Sequence, residues 1–468
     1  MTQNPIRYYV VVKANGEGVK PEEFNADSVE ARRKAASHLY FLLFGTENDH
    51  PPFDVLAIPS NDVFSVSERP SLAKTLEIVV ALDVLGDDKQ RASDVVNDII
   101  KAVAEKSKVF VGESPDLPFA AADHWCIGEA SEPFFADRSA AERLLGIDYL
   151  RRQAQTDGQG VNVVIVDQGL DRNVLGNSYG DGWTVGQANP GVPRPQPGSV
   201  RRPHGMMIAH NILKVAPRAR LFDMPLAPVA KISNIPTFLS VADAAFRQML
   251  WDIAIWRQLG TFPGQWILVN PWGIYDRSSE YPLGRYTENP LNLFNLLVAF
   301  AVLQDIDVVF AAGNCGQFCP DNRCGEKDRG PAHSIWGANS LEPVLTVGAV
   351  RADDMWLGYS SQGPGQPRLA LGAEKPDLCA ASQFREDDDA FSINSGTSAA
   401  CGLAGGVVAA LRSRWDTGSV PPRRLKQILN QTARRPVGVP WGRSLRERLG
   451  HGVLDAKEAF DELASLYP

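Results

Sequence analysis

Short apolar runs alternate with longer amphipathic stretches along most of the chain, and the two periods predict different elements. Near the start, residues 7–14, Phe53–Pro59 and Leu76–Leu85 read as strands, with Lys108–Val111 as a short last one. Residues 28–43 and Ser93–Val103 carry their apolar positions at helical spacing, the second with Ser93 or Asp94 as a cap. These pieces predict an α+β domain over 1–111. Residues 112–139, punctuated by Gly, Pro and Ser, read as a linker.

From Ala140 the rhythm changes. A helix over Ala140–Gln153 opens a second domain, 140–468. Strand-like runs at Val161–Val166, Arg220–Met224, Trp266–Asn270, Asp307–Ala312 and Val344–Val350 then interleave with helical stretches. Those helices are Gly205–Leu213, Val241–Leu259, Leu291–Gln304, Ser398–Leu411, Arg423–Thr432 and Asp455–Leu466. Such alternation predicts an α/β fold: a mostly parallel sheet with helices on both faces and ligands at the carboxyl ends of its strands. Pro190–Pro203 reads as a surface loop. Arg385–Asp389 reads as a solvated loop, with an acidic calcium site as the alternative.

Charge and composition narrow the partners. The 468 residues carry a net charge of −8, which leaves no basic footprint for nucleic acid. The longest apolar candidate, Leu291–Val302, is too short to span a membrane. No export signal is visible at the N-terminus, and the six cysteines form no even framework, so reduced thiols in the cytoplasm are expected.

Polar groups stand out at four element ends. Asp167 follows the apolar run Val163–Val166, and a buried carboxylate is costly unless paired; a turn cap is the plainer explanation. His204 opens a helix and could equally be a surface histidine. Asn314 follows Ala311, Ala312 and Gly313, where a tight turn would serve as well. Ser398 stands where a Gly-containing turn enters a small-residue helix, whose unpaired N–H groups favour developing negative charge. A buried helix that merely begins with serine fits that stretch too. Together the four supply a nucleophile, a base, an orienting carboxylate and an oxyanion donor. Their chain order, Asp then His then Ser, is that of subtilisin.

The sequence resembles the subtilisin-like serine peptidases, or subtilases, in separate blocks over about residues 140–463. The blocks are Val166–Asp171, His204–His210, Val215–Pro217, Leu268–Gly273, Phe310–Asn314, Val344–Val350, Tyr359–Pro364, Lys375–Ala380, Ser395–Ala400 and Gly450–Ala456. The resemblance implies a serine endopeptidase with a subtilisin-like fold. Ser398 would be its nucleophile, His204 its general base and acid, Asp167 the orienter and Asn314 the oxyanion donor. It also places Asn270, Pro271, Trp272 and Gly273 on an edge strand that pairs with substrate, together with Ala311, Ala312 and Gly313. No cofactor is required; structural calcium or zinc is an option the sequence does not support. Asn314 and His204 set the chain apart from the sedolisin relatives.

Three positions depart from the family pattern. Met207 replaces a second histidine, Cys401-Gly402 replaces a proline after the nucleophile, and Pro271-Trp272 replaces a serine and a smaller apolar residue. Pro271 removes a backbone donor, and Trp272 could wall or block a specificity pocket. Narrow specificity follows as the expectation. A peptide-binding or regulatory module that keeps the fold is the alternative.

Directly after Asn314 come Cys315, Cys319 and Cys324, with His333 further on. Free thiols in a loop are the expectation. A disulfide, or a zinc site with His333 as fourth ligand, is the alternative, and thiols in this position could make activity redox-sensitive. The N-terminal domain resembles a subtilase prodomain in character. A permanent regulatory domain that binds a protein partner is the favoured reading.

Overall fold

The computed structural model describes residues 6–25, 28–57, 77–85, 89–115, 124–125, 136–183, 196–199, 203–226, 238–278, 280, 283–284, 286–386, 393–437 and 441–468. The chain divides into two compact units, Met1–Ala121 and Ala122–Pro468.

The first unit contains β1 (Ile6–Lys13), α1 (Val29–Phe44), β2 (Phe53–Ala57), β3 (Glu77–Val84), α2 (Lys89–Glu105) and β4 (Phe110–Pro115). Its sheet is antiparallel in the order β2-β3-β1-β4. Strand side chains alternate between faces, so Val10 and Val12 of β1 and Ile78, Val80 and Leu82 of β3 share one side. There they meet Leu39 and Leu43 of α1 and Ile99 and Val103 of α2 in a single buried cluster. Ser28 caps α1 by accepting from the Ala31 N–H at 3.1 Å. Strand β4 runs to Pro115, into the stretch expected as linker.

The second unit runs β5 (His124–Trp125), α3 (Arg138–Leu144), α4 (Ile147–Leu150), β6 (Val161–Asp167), α5 (Arg172–Leu175), β7 (Tyr179–Gly182), α6 (Pro203–Val215), β8 (Arg220–Pro225), α7 (Phe238–Leu259), β9 (Gln265–Asn270), α8 (Leu293–Leu303) and β10 (Ile306–Ala311). It continues through β11 (Leu345–Val350), β12 (Trp356–Leu357), α9 (Pro367–Ala370), β13 (Leu378–Ala381), β14 (Phe384–Arg385), β15 (Ile393–Asn394), α10 (Gly396–Arg412), α11 (Pro422–Thr432), α12 (Arg443–Leu449) and α13 (Ala456–Leu466). The main sheet has the order β5-β12-β11-β10-β9-β6-β8-β7, with β13 also on β11. Its pairings are parallel except for that between β11 and β12.

Strand β6 shows why both faces must be covered. Every residue from Val161 to Asp167 is buried. Val163 and Ile165 join a core shared with α6, α10, α11 and α13. Val164 and Val166 join a second core, shared with α7 and α8. Burying one such side chain contributes about 1.5–3 kcal/mol, so a strand with apolar groups on both faces needs a helical layer on each side. The helix expected over Ala140–Gln153 is interrupted, because Gly146 takes a left-handed φ of 69° between α3 and α4. Among the described residues no helix is long and apolar enough to cross a membrane.

Helix α10 is buried from Thr397 to Arg412 and runs beside α6. The approach is close enough to require glycine. A Cβ on Gly402 would lie 3.1 Å from Asn211 Cβ, and one on Gly406 would lie 2.9 Å from Val215 Cβ. The buried guanidinium of Arg412 at the far end of α10 is held by Asp307 of β10 at 2.6 and 2.8 Å.

Candidate active site

Parallel strands bring their carboxyl ends to one edge of the sheet, and two of the four singled-out polar groups issue from strand ends there, while the other two open helices. Asp167 is the last residue of β6. Strand β10 runs out through Ala312 and Gly313 to Asn314. His204 lies in the first turn of α6, and Ser398 in the first turn of α10. The two helices are parallel and in register: Ile208 stands against Gly402, and Ile212 against Gly406. One turn back along each helix, His204 comes opposite Ser398.

The imidazole is held by its inner nitrogen. His204 Nδ1 lies 2.6 Å from Asp167 Oδ2 and 2.9 Å from Oδ1. The Asp167 side chain is 4% exposed and that of His204 is 37% exposed. Asp167 Oδ1 also accepts from the Gln168 N–H at 2.7 Å. Burial alone would lower the His204 pKa. The charge and hydrogen bond of Asp167 outweigh that, with Arg323 opposing them, and the net result lies above the ordinary 6.5.

Ser398 is buried, and its Oγ donates to the Pro271 carbonyl at 3.1 Å. The hydroxyl therefore faces the segment leaving β9. Its N–H lies in the first turn of α10, where a helix leaves such groups without intrahelical partners.

Asn314 is locked on one side. Its Oδ1 accepts from Thr397 N at 2.9 Å and from Thr397 Oγ1 at 3.0 Å. The same hydroxyl accepts from Gly313 N at 3.1 Å. The Nδ2 edge is thereby turned outward, where it donates to Tyr275 Oη at 3.2 Å. Gly396, at φ 72°, lets the turn pass against this amide; a Cβ there would sit 3.1 Å from Nδ2.

The expected substrate contacts divide into two groups. Asn270, Pro271, Ala311, Ala312 and Gly313 are buried. Ala311 O accepts from Asn339 Nδ2, Ala312 N donates to Val347 O, and Gly313 O accepts from Ser361 N. Trp272 and Gly273 are half-buried. The Trp272 ring lies 5.2 Å from Phe310 and 5.9 Å from Phe294, and its carbonyl accepts from Asn339 Nδ2 at 2.8 Å.

The cysteine insert corrects an expectation. Cys315 and Cys324 form a disulfide, and Cys319 is disulfide-bonded as well. Free thiols and a zinc site both fail for these residues, because sulfur spent in a disulfide is not a thiolate ligand. His333 is exposed, beside Trp336. Cys379 and Cys401 are buried free thiols whose pKa values burial pushes up. Of the stretch weighed for calcium, 387–389 lies outside the described residues. Glu386 is engaged by Arg138, His210 and Asn394.

Three residues at the site have no role of their own in the sequence reading, although Thr397 lies within the Ser395–Ala400 block. Thr397 orients Asn314. Tyr275 meets the Asn314 amide. Arg323 lies over the Tyr275 ring at 4.4 Å and is itself clamped by Asp321 at 2.8 and 3.0 Å. The disulfide-closed loop carries Arg323 onto Tyr275 of the segment leaving β9, a long-range event that local sequence does not record.

Comparison with known proteins matches residues 264–457 to the subtilase family, Peptidase S8. That stretch contains Asn314 and Ser398, while Asp167 and His204 precede it. No curated protein sequence matches. Among solved structures, MycP1 with its N-terminal propeptide removed is 20% identical, with 68% of this chain and 96% of that chain covered and a TM-score of 0.42. The prenylagaramide maturation protease PagA is 18% identical, with coverages of 68% and 98% and a TM-score of 0.45. A cold-adapted subtilisin-like serine proteinase is 17% identical, with coverages of 64% and 90% and a TM-score of 0.42.

Proposed function

We propose that the chain is an endopeptidase working through Asp167, His204 and Ser398, a reading supported by the match of residues 264–457 to the subtilase family of serine peptidases. What supports this most directly is the imidazole of His204 tied to a buried carboxylate at 2.6 and 2.9 Å, on a helix in register with the one that carries Ser398. With Nδ1 bound to Asp167, Nε2 is left to take the Ser398 proton as Oγ attacks the scissile carbonyl. The oxyanion that forms meets Asn314 Nδ2 and the Ser398 N–H. His204 then returns the proton to the leaving amine, and water hydrolyses the acyl-enzyme by the same route.

Narrow specificity belongs to the same proposal. Pro271 has no N–H to offer, its carbonyl accepts from Ser398, and the Trp272 carbonyl is taken by Asn339. The segment leaving β9 thus has few free groups for pairing with an extended substrate. Regulation by a protein partner through the N-terminal unit completes the reading. The disulfides at Cys315, Cys319 and Cys324 favour an oxidising compartment over the cytoplasm that the sequence leads one to expect.

The test is hydrolysis of a peptide library by wild type, Ser398→Ala and His204→Ala. Either substitution should cost about three orders of magnitude or more in rate. Cleavage that survives Ser398→Ala would end the proposal. A folded wild type that binds peptides without cleaving them would favour a peptide-binding module.

A further inference from the structure

The oxyanion side of the site holds a group that the three residues and Asn314 leave unused. Tyr275 follows Gly273 by two positions, on the segment leaving β9. Its Oη is 3.2 Å from Asn314 Nδ2, the donor edge of the amide that the peptidase reading assigns to the oxyanion. Thr397 fixes the opposite edge with two hydrogen bonds, so the amide cannot turn away. A phenol that accepts one hydrogen bond still has its own proton to donate. An oxygen that accepts from Nδ2 comes within about 3 Å of it, and Tyr275 Oη already stands at 3.2 Å on that same edge of the amide.

The phenol is held in place. The Arg323 guanidinium covers its ring, Asp321 fixes that guanidinium, and the Tyr275 carbonyl accepts from Gly325 N at 2.9 Å. Burial raises the hydroxyl pKa above its ordinary 10, against the pull of Arg323, so the group is protonated at neutral pH.

We propose that Tyr275 is a catalytic residue, a neutral phenol that donates its O–H to the tetrahedral oxyanion beside Asn314 Nδ2 and the Ser398 N–H. This rests on the peptidase reading above. When Ser398 Oγ bonds to the carbonyl carbon, its proton passes to His204 and the carbonyl π pair moves onto oxygen. Tyr275 Oη then gives up its contact with Asn314 and turns its O–H to that oxygen. No proton leaves the phenol. When the intermediate collapses, the pair returns to the carbonyl, the amine leaves with the proton from His204, and Tyr275 resumes its bond with Asn314.

The test uses the full chain and a fluorophosphonate, whose phosphoryl oxygen occupies the same position during attack. Tyr275→Phe should lower the second-order labelling rate about tenfold or more, with an unchanged melting temperature. Wild type should also lose rate above pH 10 as the phenol ionises, and the variant should lack that limb. Equal labelling by Tyr275→Phe would overturn the proposal. So would faster labelling, which would make the side chain a plug. Ser398→Ala separates the two levels: if it labels like wild type, the peptidase reading itself fails, and if it does not label while Tyr275→Phe matches wild type, only the role of Tyr275 fails.

Discussion

His204 sets the pH at which this site can work. A general base must be neutral to accept a proton, and the Asp167 carboxylate raises the His204 pKa above 6.5. A raised pKa keeps the imidazole protonated to higher pH, so activity should fall on acidification with a midpoint above 6.5. Asp167→Asn removes the charge that favours the cation. It should move the acid limb downward while lowering kcat by about 10³–10⁴, because the tautomer is no longer fixed. A pH–rate profile of kcat/KM for both proteins checks this; an acid limb that stays in place would deny the pairing a functional role. Asp167, His204, Asn314 and Ser398 were legible in the sequence because each ends an apolar run or opens a helix. Tyr275, Arg323 and Thr397 were not, because their place depends on what they touch in three dimensions.

At the scale of elements, the loop closed by Cys315 and Cys324 binds the oxyanion side of the site together. Asn314 O accepts from Asp321 N at 2.8 Å, and Tyr275 O accepts from Gly325 N at 2.9 Å, so the same short loop braces both residues. Opening the disulfide frees that loop's chain entropy and typically costs about 2–4 kcal/mol. Reductant, or paired Cys315→Ser and Cys324→Ser substitution, should therefore lower peptidase activity several-fold and lower the melting temperature. Activity that is equal with and without reductant would detach the loop from the site. Strand and helix periods predicted the central elements well: β6, β8, β9, β10 and β11, and the helices between them, fall within a few residues of expectation. The short strands β5, β7, β12, β13, β14 and β15 were missed, since two to four residues carry no period and are set by distant partners. The break at Gly146 was missed because the apolar spacing continues across it.

On the scale of the whole molecule, the chain is two units, each with its own apolar core. The α+β character of the first and the α/β character of the second follow from the change of rhythm in the sequence. The boundary was harder to place. Strand β4 extends to Pro115, and His124–Trp125 already pairs with β12, so backbone pairing claims the start and the middle of the expected linker. If the first unit is a permanent regulatory domain, intact mass should stay constant in active preparations. A Ser398-dependent loss of the first unit would make it a prodomain instead. Ser398 should be the one hydroxyl that reacts, and mapping a fluorophosphonate adduct by mass spectrometry of the folded protein shows whether it does. One adduct is expected, on Ser398, and it should disappear in His204→Ala. An adduct on Ser395, or a folded protein that takes up none, would contradict that assignment.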